Sequence, residues 1–345
     1  MNKPIRLGIL GLTHDHVWGN LEVLADFEDA KLVAVSDPNQ PLLDKVKEQW
    51  ACTTYLDHEE LLDEEELDAV FICSDNATGA DLTIRAAQHD LHVMVEKPMA
   101  ATLDGAERML AAAQKAGVRL MINWPVVWRP QVQAAIDLAT RPEFGEIWQI
   151  THRAGHGGIY VECTPYFREW IVKKELNGAG ALIDVCSYGV NLAQILLGHP
   201  QRVTAVTGNL VERELAVEDN AIIVMSYPGA MATAEGAWGQ KGVSFTGYLA
   251  TIWGTNGSVI VGPGRGGKLW MTTADNPECI EVEPPQPEPH MANGIAHFIW
   301  AIATGEEFFP LCRAAICRNT QEVLEAAIIS AQSRKEVTLP LSTER

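Results

Sequence analysis

From Ile5 to Ile122 the chain alternates short apolar runs with longer amphipathic segments. Each run has the length and β-branched content of a strand buried on both faces, and each following segment has the length of a helix. Such repeats are right-handed and build a parallel sheet covered by helices. The predicted strands are Ile5–Leu10, Lys31–Ser36, Leu67–Cys73, Leu91–Val95 and Val118–Ile122. The predicted helices are His16–Ala25, Leu42–Trp50, Ala80–His89 and Leu103–Ala116.

Beyond residue 123 the alternation gives way to β-rich segments joined by glycine-containing turns, typical of a large, mainly antiparallel open sheet. Its predicted strands are Ile147–Arg153, Val203–Leu210, Asn220–Tyr227, Met231–Trp238, Tyr248–Gly254 and Ser258–Val261. The remaining predicted elements are helices Pro165–Lys174, Ala181–Leu197, Asn293–Thr304 and Arg313–Ser333, and a last strand Val337–Pro340. The sequence therefore predicts an α/β protein with domains 1–123 and 124–345, whose final helix and strand pack back towards the first domain.

The net charge of the chain argues against two classes of binding partner. A formal net charge of −19 opposes binding to nucleic-acid phosphate or to an anionic membrane. No apolar run approaches the roughly 20 residues that span a bilayer. Seven cysteines without CxxC spacing are typical of reduced thiols. We expect a cytoplasmic protein that binds a small molecule and neither nucleic acid nor membrane.

The turn after the first predicted strand is where the pyrophosphate of a dinucleotide would meet helix N-terminal amides. Gly8 and Gly11 fit a glycine-rich turn, but Thr13 and His16 stand where its second and third glycines would be. Thr13 could cap the helix, and His14 or His16 could donate to a phosphate oxygen. An ordinary capped βα turn accounts for the same residues.

Asp37 ends the second predicted strand, where a carboxylate accepts hydrogen bonds from ribose hydroxyls and repels a 2′-phosphate. This position favours NAD over NADP as the cofactor. A plain turn over Asp37, Pro38 and Asn39 is the alternative.

Glu96, Lys97 and Pro98 follow a buried strand at the sheet edge where open α/β folds bind ligands. Pro98 biases Lys97 towards extended backbone, which would hold the lysine in place. A solvated lysine at a strand end is the alternative, and these residues alone favour it.

These segments together resemble the Gfo/Idh/MocA oxidoreductases, almost from end to end. The resemblance rests on the first strand and turn, Asp68–Ile72, Glu96–Pro98, Phe144–Ile147, Gly178–Asp184, Gly254–Gly257 and Ala326–Pro340. It implies an N-terminal Rossmann domain and a C-terminal α/β domain whose open sheet often forms the oligomer interface, so we expect a homodimer or homotetramer. It also implies a nicotinamide-dependent oxidoreductase acting on sugars, cyclitols or similar compounds.

The resemblance also implies the catalytic residues. Lys97 matches the lysine that contacts the reacting hydroxyl, and Asp184 and Tyr188 match a D-x-x-x-Y signature found in the branch that includes glucose-fructose oxidoreductase and dihydrodiol dehydrogenases. Four residues apart on one predicted helix, Asp184 and Tyr188 would share a face. A general base needs a pKa near the working pH, and the Lys97 ammonium is expected to lower the pKa of the Tyr188 phenol.

The segment Ser74–Gly79 departs from the family's more common Thr-Pro-Asn start and final histidine. Ser74, Asn76 and Glu96 remain predicted cofactor contacts, together with Lys97. The residues predicted to shape the substrate site are Asn123, Trp124, Arg129, His156, Tyr160, Arg168 and Trp170.

No metal site is predicted. His14, Asp15 and His16 lack a third ligand nearby in the sequence, and the spacing of His152, His156 and Glu162 is not diagnostic.

Three functions fit these residues. The first is an NAD-dependent dehydrogenase of a secondary hydroxyl on a sugar, glycoside or polyol. The second is a glycoside-cleaving enzyme that oxidises its substrate transiently with tightly bound NAD, and the third is a non-catalytic dinucleotide- or sugar-binding regulator. Stoichiometric release of NADH separates the first from the second, and the presence of Lys97, Asp184 and Tyr188 argues against the third.

Overall fold

In the computed structural model, residues 3–25, 27–240, 249–264 and 266–341 are described. The first domain holds six parallel strands in the order β3-β2-β1-β4-β5-β6. The strands are β1 Ile5–Leu10, β2 Ala30–Ser36, β3 Thr53–Tyr55, β4 Ala69–Ile72, β5 His92–Glu96 and β6 Leu120–Asn123. The helices are α1 His16–Ala25, α2 Gln40–Gln49, α3 His58–Glu64, α4 Asn76–Gln88 and α5 Leu103–Ala116.

The second sheet has nine strands in the order β14-β13-β12-β11-β7-β10-β9-β8-β15. Only β7 and β10 pair in parallel among these strands. The strands are β7 Ile147–His156, β8 Arg202–Gly208, β9 Asn220–Tyr227, β10 Ala230–Trp238, β11 Ala250–Gly254, β12 Gly257–Val261, β13 Leu269–Thr273, β14 Ile280–Val282 and β15 Val337–Thr338. The helices are α6 Pro130–Ala139, α7 Ile159–Glu162, α8 Pro165–Ile171, α9 Lys174–Asn177, α10 Ala181–Asp184, α11 Cys186–Leu197, α12 Gly294–Thr304 and α13 Ala314–Ser333. The predicted fold class is confirmed.

The C-terminal helices join the two halves of the molecule. Ile295 and Phe298 of α12 are fully buried and belong to the same hydrophobic core as Leu7 of β1 and Val93 of β5. Helix α13 contacts both α5 and β8, while β15 pairs with β8. Asn123 is the last residue of β6, and we keep it as the proposed boundary between domains 1–123 and 124–345.

Several predicted elements differ from the observed ones. The predicted helix Ala181–Leu197 is broken at Val185 into α10 and α11, with a bend of 65° between the helical segments on either side. Helix α4 starts earlier than predicted because the Asp75 carboxylate accepts from the Thr78 amide and caps it. The elements that were not predicted are β3, α3, α6, α7, α9, β13 and β14. The predicted strand Tyr248–Gly254 begins outside the described residues.

Within the described ranges, no single helix has both the length and the apolar composition needed to cross a bilayer. One pair, Lys174–Asp184 with Cys186–Leu197, meets that test only when joined across its bend.

Candidate active site

A cleft of about 420 Å³ lies between the two domains, beside the ends of β1 and β5. Ligands of open α/β sheets bind at the carboxyl ends of the strands. Side chains of both domains line this cleft, among them His14, His16, Lys97, Arg129, His156, Asp184 and Tyr188. The three predicted catalytic residues therefore face one space.

Lys97 follows β5 directly and is buried, with 4% of its surface exposed. Its Nζ donates to the Asp184 Oδ1 at 2.5 Å and to the Asp184 backbone oxygen at 3.1 Å. The same nitrogen lies 5.2 Å from the centroid of the Tyr188 ring. Lys97 thus links the edge of the first sheet to the helical pair α10 and α11 of the second domain.

Asp184 is the last residue of α10, and the break at Val185 puts Tyr188 on α11. The expectation that one continuous helix carries both residues is therefore wrong. The Asp184 Oδ2 accepts from the Trp238 indole nitrogen at 2.8 Å and lies 3.9 Å from the His156 Nε2. The Trp238 indole on β10 and the Lys97 ammonium thus fix this carboxylate by hydrogen bonds, and the His156 ring on β7 lies next to it.

Tyr188 lies between the cleft and a smaller apolar cavity of about 30 Å³. Its ring meets Trp124 edge-on, with 5.5 Å between the ring centroids. His152 lines the small cavity behind it, and the His152 Nδ1 is buried with no hydrogen-bond partner in the described structure.

The three catalytic candidates perturb one another. Burial lowers the pKa of the Lys97 ammonium, but Asp184 and Tyr188 outweigh it and the net pKa is raised. Burial raises the pKa of the Asp184 carboxyl, but Lys97 and His156 bring it below its usual value. For Tyr188, burial dominates and raises the pKa to about 12 although Lys97 opposes it. Lys97 lowers the Tyr188 pKa as expected, but the predicted net lowering is wrong because burial raises this pKa by more.

The backbone of the turn after β1 requires a glycine at position 11. Its φ is +90°, and a Cβ there would lie 2.9 Å from the Ser74 backbone nitrogen, so a side chain is excluded. Gly8 serves packing, since a Cβ there would meet the Leu67 side chain at 2.7 Å. The Thr13 carbonyl accepts from the Trp170 indole nitrogen at 3.4 Å, which ties the turn to α8.

Asp37 is fully buried at the end of β2. Its Oδ2 accepts from the Leu12 amide at 2.6 Å, and its Oδ1 accepts from the backbone and side-chain nitrogens of Asn39, each at 2.8 Å. All three donors are neutral amides, so none of these hydrogen bonds brings a positive charge to the carboxylate. The bonds to Asn39 form the turn given above as the alternative, whereas the bond from Leu12, which fixes the turn after β1, was not predicted.

His14, His16 and Glu96 meet beside the turn. The His16 Nδ1 lies 2.9 Å from the Glu96 Oε2, and the centroids of the two imidazoles are 4.6 Å apart. The Glu96 Oε1 accepts from the Asn123 side chain at 2.6 Å, and the Asn123 Oδ1 accepts from the Trp128 indole nitrogen at 2.9 Å. A third ligating side chain does lie near the two histidines, because the end of β5 supplies Glu96, so the expectation of none nearby is wrong.

Two predicted cofactor contacts have protein partners. The Ser74 hydroxyl donates to the Asp75 backbone oxygen at 3.1 Å. The Asn76 side chain is buried and donates to the Asn177 side-chain oxygen at 2.7 Å, which connects α4 to α9. Their roles towards a cofactor stay predictions.

Of the residues predicted to shape the substrate site, Arg129 and His156 line the cleft. Trp124 and Trp170 are buried, and the Trp124 indole nitrogen donates to the Cys317 sulfur at 3.3 Å. Tyr160 and Arg168 do not line the cleft, and the Arg168 guanidinium lies 5.8 Å from the centroid of the Tyr160 ring. Asn123 supports Glu96 as described above.

Other lining residues were missed, among them Arg153, Glu162, Cys163, Phe167 and Gln240. Arg153 and Gln240 lie on or just after strands that were correctly predicted. The parallel pairing of β7 with β10 brings the two residues to the same cleft. No local sequence pattern predicts that pairing.

The fold and the cleft define a class of protein, an oxidoreductase with an NAD(P)-binding Rossmann domain. A sequence model described as "Oxidoreductase family, NAD-binding Rossmann fold" matches residues 5–124. A second, described as "GFO/IDH/MocA C-terminal domain", matches residues 132–260. The chain belongs to the Gfo/Idh/MocA family of oxidoreductases, as its sequence predicts.

Relatives agree with this membership. The chain is 23% identical to a dTDP-3,4-didehydro-2,6-dideoxy-alpha-D-glucose 3-reductase of Saccharopolyspora spinosa, over 76% of this chain and 75% of that protein. It is 30% identical to D-xylose 1-dehydrogenase (NADP(+)) 2 of Haloferax volcanii, over 62% of this chain and 61% of that protein. The crystal structure of an aldose-aldose oxidoreductase from Caulobacter crescentus, complexed with glycerol, superposes with a TM-score of 0.83 and 26% identity over 98% of this chain and 100% of that one.

Proposed function

We propose that the protein oxidises a secondary hydroxyl of a sugar, glycoside or polyol, with NAD as the hydride acceptor. The observation that carries the proposal is the meeting of Lys97 from the first domain with Asp184 and Tyr188 from the second, in one cleft. The relatives named above act on sugars by their names, which supports this substrate class.

NAD, whose pyrophosphate would be held by Gly11 and the N-terminus of α1, would supply the carbon that accepts the hydride. Loss of that hydride converts the carbinol to a carbonyl and requires a base for the hydroxyl proton. In this proposal the Tyr188 phenolate takes the proton, and the Lys97 ammonium stabilises the negative charge that develops on the substrate oxygen.

Asp184 positions the lysine in this scheme. Its contacts with Lys97 and Trp238 hold the ammonium at one site before substrate arrives. Arg129 and His156, which line the same cleft, are proposed to donate hydrogen bonds to other substrate hydroxyls.

Asp37 supports NAD over NADP. Its buried carboxylate is bonded only to neutral amides among its described partners, so its charge opposes a 2′-phosphate near the end of β2.

The activity is tested with a panel of sugars, glycosides and polyols in the presence of NAD, by following NADH absorbance. NADH formed in proportion to substrate consumed is the expected result, and Tyr188→Phe protein is the matched control. Substrate cleavage without NADH release would instead favour the redox-neutral alternative. No turnover of any panel member by the folded parent would contradict the proposal.

We also propose a homodimer or homotetramer assembled through the open face of the second sheet. This face carries exposed apolar side chains at alternating strand positions, namely Val206, Ile222, Val224 and Met231. Val206 and Ile222 lie opposite each other on β8 and β9, so they form a continuous patch. Light scattering at micromolar concentration should give a multiple of the chain mass, and Ile222→Lys should shift it towards the monomer. A monomeric parent would contradict this proposal.

A further inference from the structure

Three side chains with metal-ligating atoms converge at the turn end of the cleft. His14, His16 and Glu96 each offer one ligand atom, and these atoms all lie within 4.8 Å of one another. No other group of three or more histidine, cysteine or acidic residues comes as close anywhere in the described ranges. His152, His156 and Glu162, the other set considered from the sequence, do not form such a group.

The residues of this cluster replace what a dinucleotide turn would ordinarily carry. His16 occupies the place of a third glycine and is the first residue of α1. His14 lies two residues earlier, and Glu96 ends β5. Small residues at positions 14 and 16 would suffice for packing and for close approach of a phosphate. Neither requirement explains why two imidazoles face the Glu96 carboxylate here.

Neighbouring side chains hold the ligand atoms in place. Asn123 donates to the Glu96 Oε1 at 2.6 Å, and this leaves the Glu96 Oε2 turned towards His16. The buried His14 ring packs edge-on against Phe167, with centroids 5.0 Å apart, and the His14 backbone nitrogen donates to the Cys73 oxygen at 3.0 Å. Partners that orient the ligands in this way are typical of protein metal sites.

We propose that His14, His16 and Glu96 bind one divalent transition-metal ion, of the class of Zn²⁺ or Co²⁺. Two imidazoles and one carboxylate select such ions over Mg²⁺ or Ca²⁺, which prefer oxygen ligands alone. Three protein ligands leave coordination positions open, as in metal sites that also bind water or substrate.

The surroundings admit such an ion. His14 and His16 both line the cleft. Because the His16 side chain is 38% exposed, an ion can reach the cluster from solvent. Lys97, a cation that lines the same cleft, is paired with Asp184 at 2.5 Å. Coordination would replace two hydrogen bonds, that between His16 and Glu96 and the 3.3 Å bond from the His16 backbone nitrogen to the His14 Nδ1. Phosphate oxygens of a dinucleotide at this turn could occupy the open positions.

The test uses the full chain, treated with a chelator and then dialysed, without dinucleotide. Co²⁺ is added while its visible absorbance is followed, and Zn²⁺ binding is measured by calorimetry. We expect one ion per chain, and His16→Ala should weaken binding by roughly 100-fold or more, since it removes a direct ligand. Because no turnover is measured, failure of the proposed oxidoreductase activity leaves this result unaffected.

Two further variants make the test decisive. His89→Ala is the matched control, because His89 also faces a carboxylate, with 3.8 Å between its Nε2 and the Asp63 Oδ1, but has no second imidazole beside it. It should bind Co²⁺ as the parent does. Glu96→Gln preserves size and the bond from Asn123, and it should lose affinity even if His16→Ala fails to fold. A parent that binds neither ion, or a folded Glu96→Gln variant with parental affinity, would overturn the proposal.

Discussion

The two ends of the cleft are stabilised in different ways. At the reaction end, the Lys97 ammonium is neutralised by Asp184 from the other domain, and Trp238 donates to the same carboxylate. At the turn end, His16 and Glu96 are paired at the mouth of a dinucleotide turn, close to His14. The paired charges at the reaction end come from both domains, whereas His14, His16 and Glu96 at the turn end all belong to the first domain, with Phe167 and Trp170 of the second domain packed against His14.

This difference separates two requirements of catalysis. Charge at the reaction end is balanced and oriented before substrate binds, which lowers the cost of reorganisation during the reaction. The turn end is set by local backbone, with Gly11 and the buried carboxylate of Asp37 holding its shape. Substitutions at the reaction end should therefore change turnover, whereas substitutions at the turn should change cofactor affinity.

The largest effect is expected from removing the proposed base or its lysine. Tyr188→Phe should reduce turnover by roughly 10²–10⁴-fold with little change in NAD affinity, the usual range for loss of a general base. Lys97→Met should be comparably damaging, because the alkoxide loses its stabilising charge. Steady-state kinetics and calorimetry with NAD measure the two quantities separately.

Tyr188 and Lys97 act on the same proton transfer, so the losses of turnover caused by the two substitutions should not add. The double variant should be about as active as the weaker single variant, since residues in contact are coupled. Fully multiplicative losses, or parental turnover of Tyr188→Phe, would mean that another group carries the proton. His156, which lines the cleft, would be tested next.

The sequence predicts the backbone of both ends of the cleft. Apolar runs of strand length identify β1 and β5, and the rule that ligands bind at the carboxyl ends of parallel strands places the turn and Lys97 at one edge. The roles of Asp184 and Tyr188 were predicted from the family resemblance. Sequence spacing alone does not show that these residues of the second domain meet Lys97 of the first.

Three features could not be predicted for physical reasons. The break at Val185 lies in an apolar stretch with no proline or glycine at the break, so periodicity indicates one helix. The bond from Trp238 to Asp184 depends on sheet register across strands far apart in sequence. Glu96 reaches His16 although β4 separates β1 from β5 in the sheet, so strand adjacency gives no signal for that contact.

A large effect on stability is expected from Asp184→Asn. It leaves the Lys97 ammonium buried without its counterion, and breaking such a pair costs about 3–5 kcal/mol of unfolding free energy. Chemical denaturation measures the loss. Asp104→Asn is the control, because its pair with Arg108 at 3.0 Å lies at the surface and should change stability by about 0–1 kcal/mol.

The stability difference should depend on pH in a defined direction. The folded-state pKa of Asp184 is below its usual value, so the pairing stabilises the protein above that value and is lost as the pH falls through the folded pKa. The difference between parent and Asp184→Asn should therefore shrink below about pH 4. A difference that is constant with pH would show that the pair does not account for it.

The reaction end should also determine the pH dependence of turnover. The pKa of Tyr188 is raised to about 12, so the phenol is protonated at neutral pH and the fraction of phenolate grows as the pH rises. For alcohol oxidation, kcat/KM should rise about tenfold per pH unit between about pH 7 and pH 10. The rise should move to higher pH in Lys97→Met. A plateau near neutral pH would instead indicate a histidine as the base.

The smallest effect is expected at the turn, from the charge of Asp37. The parent should bind NAD more tightly than NADP, because the buried carboxylate repels a 2′-phosphate. Asp37→Asn removes the charge and keeps an oxygen that can accept from Leu12 or Asn39, so NADP affinity should rise by roughly tenfold, about 1.4 kcal/mol. Asp44→Asn, an exposed change on α2, is the control and should leave both affinities unaltered. Equal affinities of the parent for the two dinucleotides by calorimetry would mean that Asp37 only holds the turn through its bonds to Leu12 and Asn39.

Turnover with saturating NAD should stay close to parental in Asp37→Asn, because the substitution lies away from Lys97 and Tyr188. A large loss of turnover would instead mean that the turn end also sets the geometry of the reaction.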